Sequence, residues 1–232
     1  MEAIESDKRI EKVLFRKGMD GPQFHSLIDK LREKDVQVQF APVEKLNSIT
    51  RANHQGVIAF LPIIDYFSLE ELVAKATEKG EPAMVLILDG VSDVRNFGAI
   101  ARSAECAGAS GIILPAKGSA SINADAVKTS AGALLRMPVC KVSNIREALY
   151  YLKQSGFTSV AATEKAGQTI YEANLKDNLA IILGSEDKGI SKAAISLADI
   201  IVKIPMSGSI GSLNVSAAAS VILFEVVRQR IF

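Results

Sequence analysis

Three short polar segments hold most of the residues that could do chemistry, and each follows an apolar run. The first is Leu88-Asp89-Gly90-Val91-Ser92-Asp93-Val94-Arg95-Asn96-Phe97-Gly98-Ala99-Ile100-Ala101-Arg102. A helix is expected from near Gly98, with Asn96 at its N-cap and Arg102 one turn inside. Asn96 offers an amide and Arg102 a permanent cation, but a plain helix cap and a solvated charge have the same spacing. The second is Ile182-Leu183-Gly184-Ser185-Glu186-Asp187-Lys188-Gly189-Ile190-Ser191. Its glycines have the separation of a triphosphate loop, yet the lysine precedes the second glycine and Ile190 stands in the lysine position. Glu186 and Asp187 would repel a phosphate. The loop therefore suits a ligand with a positive centre and no phosphate, or it is an ordinary acidic turn. The third runs Ile204-Pro205-Met206-Ser207-Gly208-Ser209-Ile210-Gly211-Ser212-Leu213-Asn214-Val215-Ser216, then Ala217 to Ser220. Its glycines let backbone approach a ligand closely, and the small residues after it allow another element to pack near. A flexible loop followed by a buried helix would read the same way.

Other chemistries lack their residues. His25 and His54 are isolated, with no spacing for a metal site or a catalytic triad. Cys106 and Cys140 are far apart and form no CxxC pair, so packed free thiols are expected rather than a disulfide or zinc site. No GxGxxG follows a strand, which disfavours a dinucleotide-binding enzyme.

The elements that must position these loops alternate in the α/β manner. Lys12–Arg16, Val36–Phe40 and Gly56–Phe60 read as strands, and Pro22–Glu33 as a helix, giving a small module of about 60 residues. Ser68-Leu69-Glu70-Glu71 has capping-box spacing, so a short helix is expected to start there, within a connector. Farther on, Ala83–Leu88, Gly111–Leu114, Phe157–Ala162, Leu179–Leu183 and Ile200–Ile204 are continuous Val-, Ile- and Leu-rich runs. Such runs read as strands covered on both faces, as in a parallel sheet. Helices are expected over Gly98–Ala107, Asn123–Leu135, Ile145–Gln154 and Ser191–Leu197, with a long apolar one over Ser212–Arg228. All three polar segments thus fall at carboxyl ends of strands, where open α/β sheets bind ligands.

Composition sets the remaining bounds. The 232 residues are 48% hydrophobic and 23% charged, normal for a globular protein. No window approaches the ~18 apolar residues of a membrane span, and the charged start (Glu2, Glu5, Asp7, Lys8, Arg9) does not resemble a signal peptide. A cytoplasmic protein is expected. Lysine and arginine total 27 against 26 acidic residues, so any nucleic-acid affinity must come from a local patch.

Taken in order, the three segments resemble the motifs of the SpoU family, in the SPOUT superfamily of RNA methyltransferases. Asn96, Gly98 and Arg102 match the first; Gly184, Glu186 and Gly189 the second; Pro205, Ser212, Leu213, Asn214 and Ser216 the third. Arg51-Ala52-Asn53-His54-Gln55-Gly56-Val57 is similar to the segment ending the substrate-binding domain of the subgroup acting on a guanosine of large-subunit ribosomal RNA. That domain usually has residues before the position of Glu2, which implies a start trimmed relative to the family. Val94 stands where proline is usual, and Asp187 where glycine is common.

The resemblance implies a small α/β RNA-binding domain over residues 1–64, a linker over 65–82, and a trefoil-knotted α/β methyltransferase domain with a parallel sheet over 83–232. It implies a homodimer, S-adenosylmethionine as cofactor, and no metal. The substrate it implies is a ribose 2′-hydroxyl of RNA, from a guanosine in 23S rRNA. A transfer-RNA enzyme and a non-catalytic RNA-binding protein are the alternatives. Its catalytic residues would be Asn96, Arg102, Glu186, Ser212 and Asn214. The cofactor would lie against Leu183, Gly184, Glu186, Ile204, Pro205, Met206, Ser212, Leu213 and Asn214. The family pattern places Arg102 at the reacting ribose. Because a guanidinium is a poor base, its expected role is to hold an RNA phosphate or hydroxyl.

Overall fold

Continuous runs of Val, Ile and Leu form strands because side chains on both faces find an apolar partner. In the computed structural model this is clearest at β4 (Met84–Asp89). There Met84, Leu86 and Leu88 enter one buried cluster and Val85 and Ile87 another. The structure describes residues 10–34, 36–61 and 63–232; the charged start lies outside them.

The chain divides into two units, Met1–Ile63 and Ile64–Phe232. The first is built on a sheet of order β2-β1-β3, from β1 (Lys12–Arg16), β2 (Gln37–Ala41) and β3 (Val57–Phe60). β1 and β2 are parallel, joined through α1 (Pro22–Glu33); β3 runs antiparallel to β1. Val13 and Phe15 pack with Ile28 and Leu31 of α1. Leu14 packs with Leu46 of α2 (Val43–Ile49) on the other face. α2 was not expected from the sequence.

The second unit begins with α3 (Leu69–Thr77). Ser68 Oγ accepts from Glu71 N at 3.1 Å and Glu71 Oε2 accepts from Ser68 N at 2.8 Å, which completes the capping box. Although residues 65–82 read as a connector, Leu72 and Val73 of α3 are buried in this unit's core. The sheet has seven strands, all parallel. They are β4, β5 (Gly111–Pro115), β6 (Val139–Val142), β7 (Thr158–Ala162), β8 (Gln168–Thr169), β9 (Leu179–Gly184) and β10 (Ile200–Lys203). Their order is β6-β5-β4-β9-β7-β10-β8. One face carries α4 (Val94–Cys106), α5 (Ala124–Thr129) and α8 (Val215–Ile231). The other carries α3, α6 (Ile145–Gln154) and α7 (Lys192–Leu197).

Three expectations need correction. The helix expected over Asn123–Leu135 breaks, because Ala131 (φ 50°) and Gly132 (φ 81°) turn left-handed and Gly132 N donates to Val127 O at 3.0 Å. A 3₁₀ turn, Ala133–Leu135, follows. α4 starts at Val94 because Asp93, not Asn96, is its N-cap, its carboxylate accepting from Asn96 N at 2.7 Å. The last helix starts at Val215 rather than Ser212, since Asn214 caps it.

Candidate functional site: a cavity where three loops meet

β4 and β9 are neighbours in the sheet, with Asp89 paired to Gly184 in register, so the first and second polar segments leave the sheet side by side. Asp89 Oδ2 accepts from Ser191 N at 2.8 Å and ties the two loops together. Within the second loop, Ser185 N donates to Gly189 O at 3.2 Å and Gly189 N donates to Ser185 O at 2.8 Å. That tight closure needs Gly189 at φ +66°. It also needs glycine at 184. A Cβ there would stand 2.1 Å from the Gly189 carbonyl carbon and 2.2 Å from Ile190 N.

The third segment follows β10, which is separated from β9 by β7. Between the loops after β7, β9 and β10 lies a cavity of about 630 Å³, a volume in the range of small-molecule sites. Leu183, Ile204 and Met206 supply apolar surface, Gly184, Gly189 and Gly211 bare backbone, and Glu186 and Asp187 negative charge.

Asn214 joins the three segments. Its Oδ1 accepts from Ser216 N at 2.9 Å and Ser216 Oγ at 2.6 Å, the usual work of an N-cap. Its Nδ2 donates to Asn96 Oδ1 at 3.1 Å and to Glu186 Oε1. An amide group, a carboxylate and a second amide therefore meet at the cavity's edge, one from each loop. This is possible because Asn96 is not the cap of α4. With Asp93 taking that role, the Asn96 side chain is free to face α8. Ser103, two turns on along α4, bonds Ser220 of α8 at 2.8 Å and holds the same helix faces together.

Of the expected site residues, Leu183, Gly184, Glu186, Ile204, Met206, Ser212, Leu213 and Asn214 line the cavity. Asn96 reaches its edge through Asn214. Pro205 is exposed and is not part of the lining. Arg102 is also exposed, about 9 Å along the α4 axis from Asn96 at the standard helical rise. It has no hydrogen-bond or ion-pair partner among the described residues, so within one chain it stands apart from the Asn96–Asn214–Glu186 cluster. The cavity also takes Thr163, Glu164 and Lys165 from the loop after β7, which no sequence motif marked. The carboxyl-end rule applied to every strand would have found them. Among the described residues, no group of three or more His, Cys, Asp or Glu is placed to hold a metal ion, and no helix is long and apolar enough to cross a membrane.

Fold and site together define an α/β methyltransferase domain of the SPOUT class. Residues 83–224 match the model of the SpoU rRNA Methylase family, and residues 1–67 match that for RNA 2'-O ribose methyltransferase substrate binding. A Staphylococcus aureus protein named for the TrmH family of tRNA/rRNA methyltransferases is 36% identical over 99% of this chain and 92% of its own. Among solved structures, the SpoU methyltransferase AviRb of Streptomyces viridochromogenes aligns with a TM-score of 0.67 at 25% identity, covering 99% of this chain and 85% of that one. An AdoMet-bound rRNA methyltransferase of Sinorhizobium meliloti aligns with 0.65 at 25% identity, covering 98% and 83%. The chain belongs to the SpoU family of RNA methyltransferases.

Proposed function

We propose that this RNA methyltransferase, whose methyl donor is S-adenosylmethionine, acts on a ribose 2′-hydroxyl of a guanosine in 23S rRNA. The observation that carries the reading is the Asn214 junction, which gathers the three polar loops at the mouth of one cavity. The cavity suits the cofactor in volume, in its glycine backbone, and in Glu164, Glu186 and Asp187, which outnumber Lys165 and Lys188 in its lining. Bound there, the cofactor supplies a methyl group on a sulfonium that departs as a neutral thioether.

The protein's own residues position and exclude. Leu183, Ile204 and Leu213 offer apolar surface, and backbone at Gly184 and Gly211 lies open to polar groups. Glu186 holds Asn214 and, through it, Asn96, so all three polar groups keep a fixed direction for the incoming ribose. Arg102 is always charged and exposed. Its role in this reading is to hold an RNA phosphate or the oxygen of the reacting hydroxyl, whose proton passes to solvent water and not to the guanidinium.

The other parts of the proposal rest on further features. Residues 1–64 would form the RNA-binding unit and 83–232 the transferase, with the trefoil knot of the family. The homodimer is supported by Ala217, Phe224 and Ile231, which recur every seventh residue of α8 and are exposed, Phe224 at 50% and Ile231 at 67%. The same reading places the enzyme in the cytoplasm, with its RNA.

Transfer RNA is the second candidate substrate, because the Staphylococcus relative is named for both RNAs. An Aquifex aeolicus enzyme described as tRNA-modifying is 30% identical but covers 70% of this chain. The Sinorhizobium rRNA methyltransferase covers 98%. The greater coverage favours ribosomal RNA.

Two variants test the assignment. Arg102→Ala is expected to abolish methyl transfer while calorimetric affinity for S-adenosylmethionine stays within about twofold, since Arg102 is outside the cavity lining. Asn214→Ala is expected to weaken cofactor binding or turnover. Near-normal turnover in both variants would overturn the site.

A further inference from the structure

α4 and α8 are joined by polar groups at two levels. At the cavity, Asn214 Nδ2 donates to Asn96 Oδ1 at 3.1 Å. Two turns on along α4, Ser103 Oγ and Ser220 Oγ lie 2.8 Å apart. Elsewhere the two helices share one apolar cluster, with Ala101 and Ala104 on α4 and Val215 and Ala219 on α8. Apolar contact between such short side chains is non-directional and does little to resist sliding of one helix along the other. Hydrogen bonds have a required distance and angle, so the two polar rungs set the register.

The direction of each bond follows from its partners. Ser220 Oγ donates to Ser216 O, one turn back in α8, at 3.0 Å. A carbonyl only accepts and Ser220 has one proton, so Ser103 is the donor in the bond between the helices. Ser216 in turn donates both its N–H and its O–H to Asn214 Oδ1. The capping oxygens of Ser68, Asp93, Asn123, Asn144 and Ser191 accept from a backbone N–H alone. The Ser216 hydroxyl is therefore surplus to capping. It fills the second acceptor site of an amide whose two N–H groups already go to Asn96 and Glu186. A half-turn of that amide would set its nitrogen against the Ser216 N–H and its oxygen against the Glu186 carboxylate, so one orientation survives.

We propose that Ser103, Ser216 and Ser220 are positioning residues for methyl transfer. Ser216 fixes which end of the Asn214 amide faces Asn96 and Glu186. The Ser103–Ser220 rung holds α4 in register against α8, which a single bond at Asn96 would leave free to pivot. Arg102 precedes Ser103 in the chain and is exposed, so its aim is set by how α4 is held. None of the three serines lines the cavity, so the cofactor does not touch them. They act through Asn96, Asn214 and Arg102, where a shift of about 1 Å can cost up to about a hundredfold in rate. The inference rests on the reading of those three residues as the transfer site and adds what aims them.

The test uses the full chain, with kinetics on unmodified ribosomal RNA and calorimetry with S-adenosylmethionine. Alanine is the best helix former, so Ser103→Ala, Ser216→Ala and Ser220→Ala keep the helices intact. Each is expected to lower kcat by about three- to tenfold, the worth of one neutral hydrogen bond. Cofactor affinity and the KM for RNA are expected to stay within about twofold. The Ser103→Ala/Ser220→Ala double variant is expected to lose no more than either single one, because both remove the same rung. Ser103→Thr keeps the hydroxyl and is expected to restore most of the rate. A spectroscopic readout is independent of turnover. In protein labelled with nitrogen-15 at asparagine, the side-chain NH₂ signal of Asn214 is the one lost in Asn214→Ala. It is expected to shift in Ser216→Ala and Ser103→Ala and to hold its place in Ser103→Thr. Wild-type kcat in the alanine variants, even with a lowered urea midpoint, would make the serines structural only and overturn the proposal. Additive losses at Ser103 and Ser220, or an unmoved Asn214 signal, would overturn it too. If wild type transfers no methyl group to ribosomal RNA, the proposed function fails, and the Asn214 signal alone then decides for or against the rung.

Discussion

Asn214 does two jobs with one side chain: its oxygen caps α8 and its nitrogen reaches across to Asn96 and Glu186. The residue types of this cluster are legible in the sequence, but their geometry is not. Asp93 and Asn96 are both good cap residues, and spacing alone selects the wrong one. Only the fold shows that Asp93 takes the cap and thereby frees Asn96 for the site. Glycine is easier to interpret once the structure is known. Gly184 allows the second loop to fold back against its own strand end, where a Cβ would overlap backbone atoms. Because those neighbours are backbone and cannot step aside, Gly184→Ala is expected to destabilise the protein by about 1–3 kcal/mol. It is also expected to lower cofactor affinity by at least about tenfold, as the loop that lines the cavity must shift. Urea unfolding and calorimetry measure the two effects. Wild-type values in both would show that the close approach is unimportant.

At the scale of elements, the long apolar strands could be read because burial on both faces leaves a continuous hydrophobic run. β4 and β9 each differ from the sequence expectation by about one residue at an end, within the usual uncertainty of boundaries. α2, β6 and β8 escaped because each is short and shows too few residues for a period. α2 has a single fully buried side chain, Leu46, and β8 has two residues. The seam between β7 and β10 depends on a cluster that no motif marks. Asp199 accepts from Ser159 N at 3.0 Å and Ser159 Oγ at 2.7 Å and pairs with Lys153. Burial opposes the Asp199 charge, but the bonds from Lys153 and Ser159 outweigh it and hold the carboxyl below the usual range. A depressed folded value means that the stabilisation is complete above the unfolded carboxylate value of about 3.9 and is lost as pH falls through the lower folded value. Asp199→Asn is therefore expected to cost about 1–2 kcal/mol at pH 7. The gap to wild type should stay constant down to about pH 5 and narrow below about pH 4. A gap that widens on acidification would reverse the assigned sign.

At the scale of the whole molecule, a formal charge of +1 gives no general attraction to RNA. In the proposed reading, recognition at the transfer site therefore rests on a local feature, the Asn214 junction with its cavity. The α/β class follows from the order of apolar runs, whereas the expected knot comes only from the family resemblance, and the proposed homodimer from that resemblance and the exposed residues of α8. Periodicity describes local elements, and neither chain threading nor the choice of a partner is local. The chemistry of the product gives the most direct test. A methylated 2′-hydroxyl can no longer attack the neighbouring phosphate, so that linkage survives alkali while every other one is cut. The purified protein is incubated with methyl-labelled S-adenosylmethionine and unmodified ribosomal RNA, and the RNA is hydrolysed with alkali. The account expects the label in alkali-resistant dinucleotides with guanosine at the 5′ position. Label released in mononucleotides, which marks a methylated base, would contradict it.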